Sequence, residues 1–336
     1  LKIDIPAAKI PFILVIFFFY KYNRKFTFMK TGIFLSYKGL GANLLHLSYC
    51  HQIAKKFGPV SIITLCPNLD KILKDDPLIK EVLYLNKYYK KFFDLFKLSR
   101  FIKELNFENI FIFYPGLRQF LSCKIAGIKN IYHYPLFNKK NLHLVNAAKN
   151  FTEKSLKIEN CPTETKIFID HSKIEKYKLS DRKKIILGIG SSGPTTKWGY
   201  DNFASLINEL NKIGDYYFYL LCGSDEENGA KKIINQIEKK NCESLSSKDV
   251  SEIIYYIYLS DIFIGNDSFG HHVACQMNKP SFVILLDTPK AYSDYSKNQY
   301  RLTPPNIDIN DISHDSALDP NSITTEMILN KIKNFI

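Results

Sequence analysis

The sequence lacks the signatures of several common functional classes. Its seven cysteines include no CxxC pair, and we find no zinc-finger spacing, no ribonucleoprotein-type aromatic motif and no basic region followed by heptads. A Gly-Lys-Ser/Thr phosphate loop is also missing. These absences exclude a P-loop ATPase and weigh against disulfide frameworks, structural zinc sites and standard nucleic-acid modules. We therefore expect reduced, buried thiols and no nucleic-acid partner.

The chain is strongly basic, with 46 Lys and Arg against 33 Asp and Glu and a net charge of +13. Such a balance favours anionic partners, which include nucleic acid, an anionic membrane surface and phosphorylated substrates. A Lys-rich and Asn-rich composition from an AT-rich genome would give a similar balance with no partner at all. The length of 336 residues, 46% of them hydrophobic, suits one large or two medium α/β domains.

The first 28 residues differ from the rest of the chain. Residues 11–20, PFILVIFFFY, are apolar throughout and precede Lys21, Arg24 and Lys25. This run is short for a membrane span, and it lacks a clear signal-peptide cleavage site. Two interpretations stay open: translation upstream of a true start at Met29, or an interfacial anchor.

From Met29 onward, short apolar strands alternate with amphipathic helices, which predicts doubly wound parallel sheets. We expect a Rossmann-like domain over residues 29–165, a linker over 166–181 and a second Rossmann-like domain over 182–336. The last predicted helix, Ser322 to Ile336, can pack within the second domain or back onto the first. Facing domains of this kind place their glycine turns at the cleft.

The stretch from Asp261 to Pro280 predicts a strand, a tight turn, a helix and a second strand. Ser268 is a good helix N-cap, and Gly270 would let the backbone approach a ligand. A helix that begins at the carboxyl end of a strand presents free N–H groups and the positive end of its dipole to an anion. The stretch therefore predicts a diphosphate site, although an ordinary βαβ corner would have a similar sequence.

Two further loops carry groups that suit a phosphorylated ligand. In Gly190 to Lys197, GSSGPTTK, the hydroxyls of Ser191, Ser192, Thr195 and Thr196 can bind phosphate oxygens and Lys197 can neutralise them. In Gly223 to Glu227, Asp225 or Glu226 can bind ribose hydroxyls at a strand end. Each loop also has a purely structural interpretation, as a polar connection or an acidic helix start. His271 and His272 have no carboxylate or cysteine at ligand spacing, so we expect no metal site.

Together these stretches resemble glycosyltransferase family 9, the lipopolysaccharide heptosyltransferases. GNDSFGHHVACQMNKP is similar to the family pattern that runs D-(S/T)-G-x-x-H and ends in proline, and GSSGPTTKW resembles the loop before its K-x-W-P. GSDEE resembles the family's Gly-x-x-Glu-Glu stretch, Lys297-Asn298-Gln299 also fits, and GLGANLLHL resembles the Gly-x-Gly-Asp turn.

The resemblance implies a GT-B fold, with two facing Rossmann-like domains, and inverting transfer of heptose from ADP-heptose to a lipid-linked core oligosaccharide. It implies a cytoplasmic protein peripheral to the inner face of an anionic membrane, with no metal or other cofactor. The donor-binding residues implied by the match are Ser191, Thr195, Thr196, Lys197, Asp225, Glu226, Asp267, Ser268, Phe269, Gly270 and His272. The acceptor-side turn would contain Gly39, Gly41 and Asn43.

Two positions depart from the family. Phe269 lies where a small residue is commoner, but only its backbone N–H is needed for phosphate. The other departure concerns the general base. The family's Gly-x-Gly-Asp aspartate, the expected general base, is Ala42 in this chain. His46, one helical turn away, is a substitute base whose ordinary pKa suits neutral pH. The departure would equally fit a more acidic acceptor, or a protein that binds nucleotide sugars with weak or no turnover. A basic membrane scaffold indifferent to nucleotide is a third functional class.

Overall fold

The computed structural model describes residues 29–85, 91, 93–134, 143–177, 181–191, 193, 195–287, 293–313, 316 and 318–336. The predictions made for residues 1–28 and for Ser192 lie outside these described residues. No described helix is both long enough and apolar enough to cross a membrane.

The first half of the chain forms a five-stranded parallel sheet in the order β3-β2-β1-β4-β5. Its strands are β1 (Thr31–Leu35), β2 (Val60–Thr64), β3 (Ile79–Tyr84), β4 (Asn109–Ile112) and β5 (Asn130–His133). The central strands β1, β2 and β4 are buried along their whole length. Continuous apolar runs of this kind are typical of parallel strands that are covered on both faces.

The second half forms a six-stranded parallel sheet in the order β11-β10-β9-β6-β7-β8. Its strands are β6 (Lys183–Gly188), β7 (Tyr216–Leu221), β8 (Cys242–Ser244), β9 (Ile262–Asn266), β10 (Ser281–Ile284) and β11 (Gln299–Leu302). Counted within its own domain, this is the doubly wound order of a dinucleotide-binding sheet. The order of connection reverses between β6 and β9, which makes their carboxyl ends the expected ligand crevice.

Helices cover both faces of each sheet. In chain order they are α1 (Leu40–Leu44), α2 (Leu47–Phe57), α3 (Leu69–Leu73), α4 (Asp94–Leu105), α5 (Leu117–Ile125), α6 (Leu144–Leu156), α7 (Tyr200–Ile213), α8 (Glu227–Gln236), α9 (Val250–Leu259), α10 (Phe269–Gln276) and α11 (Thr325–Ile332). Helices α1 to α3, α6, α9 and α10 contribute to one apolar cluster that includes side chains from both sheets. Helix α4 and the strands beside it form a separate cluster on the other side of the first sheet, together with Cys123 of α5.

The chain after the first glycine turn forms two helices, α1 and α2, which are separated at Leu45 and His46. The Asn43 amide donates to the carbonyls of Tyr37 and Gly39, and His46 Nδ1 bonds the carbonyl of Ala42 at 2.7 Å. Side chains that bond nearby backbone carbonyls compete with a regular helix. The break places Asn43 and His46 inside the protein, where both are buried.

The carboxyl-terminal helix α11 packs in the second domain, against α7, and not back onto the first domain. Its Ile328 and Ile332 are fully buried in the cluster that fills the outer side of the second sheet. The indole of Trp198 donates to the carbonyl of Ile323 just before this helix, at 2.8 Å. These contacts hold the end of the chain beside the second sheet.

Candidate active site

The candidate site lies at the carboxyl ends of three neighbouring strands of the second sheet. The loop of residues 189–199 follows β6, a 3₁₀ turn at Ser224–Glu226 follows β7, and helix α10 follows β9. The first domain contributes the turn before α1, because α1 packs directly against α10. The site therefore lies where the two sheets face each other.

Helix α10 follows the N-cap residue Ser268, whose side chain does not cap the first backbone N–H groups. Ser268 has an extended backbone, and the first turn of the helix contains no acidic residue. The first N–H groups of a helix have no partner within the helix, and its dipole adds positive potential there. Phe269 is partly buried against the cluster between the sheets. The backbone start of α10 is thus open to an anionic group.

The structure shows a packing reason for glycine at position 270, in addition to the approach of a ligand that the sequence predicted. A Cβ at this position would lie 2.5 Å from Leu221 Cδ2 and 2.8 Å from Phe263 Cε2. Both contacts are with side chains of the sheet below the helix. Glycine is therefore needed here because α10 packs closely on β7 and β9.

Asn266, the last residue of β9, fixes the loop after β6. Its buried side chain accepts from the backbone N–H of Trp198 at 2.9 Å and donates to the carbonyl of Ile189 at 2.8 Å. The Ser191 hydroxyl reaches the carbonyl of Asp267 at 3.4 Å. These bonds hold the 189–199 loop beside the start of α10.

The loop hydroxyls are engaged within the protein. Thr196 bonds the Ser191 hydroxyl, and it donates to the Gly193 carbonyl at 2.8 Å. Thr195 donates to the carboxylate of Asp287, which follows β10. Thr196 and Ser191 therefore lie together near α10, whereas Thr195 is bonded to Asp287.

Lys197 and Glu226 join the two loops that the sequence assigned to phosphate and ribose. Lys197 Nζ lies 2.5 Å from Glu226 Oε1, and the lysine side chain is 28% exposed. Glu226 also accepts from the backbone N–H groups of Ser191 and Gly223, each at 3.3 Å. The hydrogen bond to Glu226 raises the pKa of Lys197. Lys197 is thus a positive charge held at the site, and Asp225 is the exposed carboxylate beside it.

Asp267, His271 and His272 form a compact cluster. The Asp267 carboxylate lies 3.0 Å from His271 Nδ1 and 3.8 Å from His272 Nε2, so the expectation of no carboxylate within reach of these histidines is wrong. Their three ligand-type atoms lie within 4.8 Å of one another, the only such group among the residues described. The cause is helical: an aspartate before α10 lies one turn from residues four and five positions later.

The tautomer of His271 is set by Gln299. The Gln299 carbonyl oxygen accepts from the Asp294 backbone N–H at 2.6 Å, so its amide nitrogen faces His271 Nε2 at 3.0 Å. His271 Nε2 must then accept, which leaves the proton on Nδ1, toward Asp267. A protonated Nδ1 cannot ligate a metal, and although it lies 3.0 Å from Asp267 Oδ1 it makes no hydrogen bond with the described residues. The contact with Gln299 therefore disfavours His271 Nδ1 as a metal ligand.

His272 faces the first domain. A Cβ on Gly41 would lie 2.6 Å from the His272 ring, and His272 Nδ1 lies 2.8 Å from the Tyr295 hydroxyl. Burial, with a smaller contribution from His271, holds the pKa of His272 well below its ordinary value. His272 is therefore a neutral imidazole that packs against the acceptor-side turn.

The acceptor-side turn has no acid at its expected position, and His46 does not replace one. Ala42 is partly exposed, while His46 is fully buried, stacked on Tyr37 at 4.7 Å between ring centroids. Burial lowers the pKa of His46 to about 4, so the prediction that its pKa suits a base near neutral pH is wrong. Asn43 is also buried; its side chain stabilises the turn and accepts from Thr64 at 2.9 Å.

Three residues of the site received no role from the sequence: Asn266, Asp287 and Tyr295. Asn266 was visible as the polar end of an apolar strand, a position where parallel sheets place ligand-facing groups. Asp287 likewise follows β10. Tyr295 carried no local signal, because only the tertiary fold brings it to His272.

A sequence model described as "Glycosyltransferase family 9 (heptosyltransferase)" matches residues 130–303, more than half of the chain. The chain belongs to glycosyltransferase family 9. The match includes the 189–199 loop, the Ser224–Glu226 turn and α10. The residues that identify the family therefore include the candidate site in the second half of the chain.

Individual proteins that resemble this chain include heptosyltransferases. Lipopolysaccharide heptosyltransferase 1 of Campylobacter coli is 25% identical over 233 residues, which are 67% of this chain and 61% of that protein. The structure of E. coli ADP-heptose lps heptosyltransferase II aligns with a TM-score of 0.71 at 15% identity, over 91% of this chain and 98% of that one.

Two further structures are similar. A glycosyl transferase family 9 protein from Veillonella parvula gives a TM-score of 0.74 at 16% identity, covering 92% of this chain and 97% of that one. The structure of E. coli heptosyltransferase WaaC with ADP gives a TM-score of 0.68 at 14% identity, covering 92% of this chain and 100% of that one. At these identities the likeness establishes the fold, and the predicted GT-B architecture of two parallel-sheet α/β domains is confirmed.

Proposed function

We propose that this protein is an inverting glycosyltransferase that moves a sugar from a nucleotide diphosphate donor to a lipid-linked envelope oligosaccharide. The donor class follows from the site: uncapped N–H groups at the start of α10, with Lys197 held in the adjoining loop. That juxtaposition is the observation that carries the proposal. Heptose from ADP-heptose is the donor we favour, because one structural relative is described with ADP and another is named for ADP-heptose.

In this proposal the first amides of α10 bind the diphosphate and Lys197 neutralises it as the bond to the sugar breaks. Asp225, the exposed carboxylate after β7, binds the ribose. The acceptor enters from the side of Gly39 and Ala42. Since the acceptor is lipid-linked, we place the protein at the inner face of the cytoplasmic membrane.

We propose that the transfer needs no metal ion. The bond from Gln299 leaves the proton of His271 on Nδ1, the ring nitrogen on the side of Asp267, so this nitrogen is not free to ligate a cation. The positive charge that a diphosphate leaving group requires is supplied by Lys197 and the helix start.

Lys197→Ala should weaken binding of ADP by ~1–3 kcal/mol, because a charge-assisted contact to phosphate is lost. Isothermal titration calorimetry measures this, with and without a metal chelator. Lys232→Ala is a matched control: Lys232 pairs with Asp201 on the surface, at 2.8 Å. If the purified protein binds no nucleoside diphosphate, or if both variants bind equally well, the proposed donor site is wrong.

The second candidate function is a nucleotide-sugar-binding protein with weak or no turnover. Ala42 favours it, because the site otherwise matches the family while this position cannot accept a proton. Because His46 is buried and its pKa is lowered to about 4, this imidazole does not compensate. Loss of a positioned base typically costs ~10²–10⁴-fold in rate.

Ala42→Asp separates the two candidates. We expect it to raise the rate of sugar transfer by ~10²–10⁴-fold, since a carboxylate would then face the acceptor hydroxyl. Ala42→Asn has nearly the same shape without a base and should give no gain. Equal rates for wild type, Asp and Asn, all well above background, would show that the native enzyme takes the proton elsewhere.

A further inference from the structure

Large apolar side chains are exposed mainly in one region. Ten of them are exposed among the described residues, and six lie between Phe93 and Ile125, on or beside helices α4 and α5: Phe93, Phe96, Tyr114, Leu117, Leu121 and Ile125. Single exposed apolar residues are ordinary on a protein surface, but contiguous ones mark an interaction site.

Four of these residues lie on two helices that pack against each other. Leu117, Leu121 and Ile125 repeat every four residues and therefore share one face of α5. Phe96 is in the first turn of α4, and the Ser122 hydroxyl of α5 reaches the carbonyl of the preceding Leu95 at 3.4 Å. We name the exposed side of α4 and α5 that includes Phe96, Leu117, Leu121 and Ile125 the outer face.

The outer face points away from the second domain. The buried sides of α4 and α5 belong to the cluster that contains Phe34 and Ile112, whereas the contacts with the second domain are made by the cluster on the opposite side of the first sheet. The second domain therefore does not cover the outer face.

Basic side chains border this apolar surface. Lys97 is 69% exposed and Arg100 is 85% exposed on α4, and Lys124 is exposed on α5. On α4 Asp94 lies 3.8 Å from Lys97 and Glu104 pairs with Arg100, and α5 contains no acidic residue, so the two helices together carry five basic residues against two acidic ones. The combination of apolar side chains with a basic border is typical of helices that lie at an anionic lipid surface.

The outer face adjoins the acceptor side of the cleft. Gln119 of α5 donates to the Ser36 hydroxyl at 3.1 Å, directly after β1 and before the acceptor-side turn. Tyr114, after β4, meets Tyr37 edge to face with ring centroids 6.1 Å apart. A lipid-linked acceptor held at this surface would reach the cleft from the side of Ala42.

We propose that the outer face docks on an anionic lipid bilayer, with Phe96, Leu121 and their neighbours inserted at the headgroup level. This inference rests on the proposed function, which supplies the lipid-linked acceptor. The docking surface itself is inferred only from the exposed side chains of the outer face. A bilayer explains the outer face better than a second copy of this chain does. A two-fold contact would bury the same face of both copies and so bring Lys97 and Lys124 of each copy into one positively charged interface.

Vesicle co-sedimentation tests the proposal with the full chain and needs no nucleotide sugar. The wild type should bind vesicles that contain phosphatidylglycerol, less so at high salt, and bind pure phosphatidylcholine vesicles weakly. The double variant Phe96→Ser, Leu121→Ser should bind at least about tenfold more weakly. Ile213→Ser, which alters a 62% exposed isoleucine at the end of α7, is the matched control and should bind as the wild type does.

A charge variant separates electrostatic attraction from insertion. Lys124→Glu should weaken binding to the anionic vesicles by at least about fivefold, while Lys333→Glu on the second domain should not. Circular dichroism confirms that each variant is folded.

The proposal is overturned if the wild type does not bind anionic vesicles, or if Ile213→Ser loses as much binding as the double variant. It is also overturned if sedimentation velocity shows a wild-type dimer that the double variant converts to monomers. Sugar transfer to a short water-soluble acceptor is measured separately. If the wild type shows no transfer, the proposed function is rejected, whereas the result with vesicles is unaffected.

Discussion

At the residue scale, Glu226 shows how one side chain can organise a site. Both of its oxygens are used: they face Lys197 and the backbone N–H groups of Ser191 and Gly223. A Cβ at Gly190 would lie 2.2 Å from Glu226 Oε2, so the glycine makes room for this carboxylate. We conclude that Glu226 positions the loops, and that Asp225 is the better candidate for ribose.

His46 illustrates the difference between proximity and chemistry. Its Nδ1 bonds the Ala42 carbonyl, and its Nε2 has no partner among the described residues. The ring packs edge to face on Phe113, with centroids 5.4 Å apart. An aromatic environment without water disfavours the charged imidazole, so His46 is a packing residue that remains neutral.

A pH dependence of stability follows from His46. Its pKa is about 4 in the folded protein and 6.5 when exposed, so the unfolded chain binds more protons between these values. Stability should therefore fall as the pH is lowered from about 6.5 to about 4, with His46 contributing up to about 3 kcal/mol. His46→Phe keeps the stacking on Tyr37 and should show a smaller loss of stability over this range, measured by urea unfolding at several pH values. Parallel curves for the two proteins would contradict the assignment.

At the element scale, the contact between α1 and α10 joins the two domains at the site. Gly41 of α1 lies against His272 of α10, and Gln276 of α10 donates to the Leu44 carbonyl at 2.7 Å. Because α1 is only five residues long, these contacts contribute more to its position than helix propensity does.

Two neighbouring glycines give a matched test of this contact. Gly41→Ala would place a Cβ 2.6 Å from the His272 ring, which should displace α1 and reduce ADP binding or transfer by about tenfold or more. Gly39→Ala meets nothing within 4 Å, and its backbone angles are available to alanine, so it should leave ADP binding unchanged. Enzyme assays and calorimetry compare the two variants; equal behaviour would show that the packing of α1 on α10 has no part in function.

At the scale of the whole molecule, residues 162–165 connect both domains just before the predicted linker. Ser48 of α2 donates to the Pro162 carbonyl at 2.7 Å, and Thr163 donates to the Tyr295 carbonyl at 2.7 Å. Glu164 accepts from the Ser296 hydroxyl at 2.7 Å. The segment therefore ties α2 to the loop that carries Tyr295, the partner of His272.

A buried histidine–carboxylate contact supports this segment. His51 Nε2 lies 2.6 Å from Asp76, and its Nδ1 lies 2.6 Å from the Thr165 hydroxyl. Asp76→Ala should reduce the free energy of unfolding by ~1–3 kcal/mol, because the buried Nε2 of His51 would lose its hydrogen-bond partner. Asp75→Ala removes a partly exposed pair with Lys173, 3.5 Å apart, and should cost less than about 1 kcal/mol. Urea unfolding followed by circular dichroism measures both, and similar costs would contradict a structural role for the His51–Asp76 pair.

The sequence by itself determined the two parallel sheets and the family. Apolar runs of strand length, each followed by an amphipathic segment, leave a parallel α/β sheet as the arrangement that buries them, and the motif from Asp261 to Pro280 is local enough to identify directly. The loop with Lys197 and the turn with Glu226 could be located for the same reason.

Only the tertiary structure decided what individual side chains do there. The burial of His46, the proximity of Asp267 to both histidines, the packing reason for Gly270 and the approach of Tyr295 depend on contacts between distant segments. A pKa depends on how much water surrounds a group, and a close approach depends on which helix lies opposite. Neither is encoded in local spacing, so the sequence located the site but could not assign its chemistry.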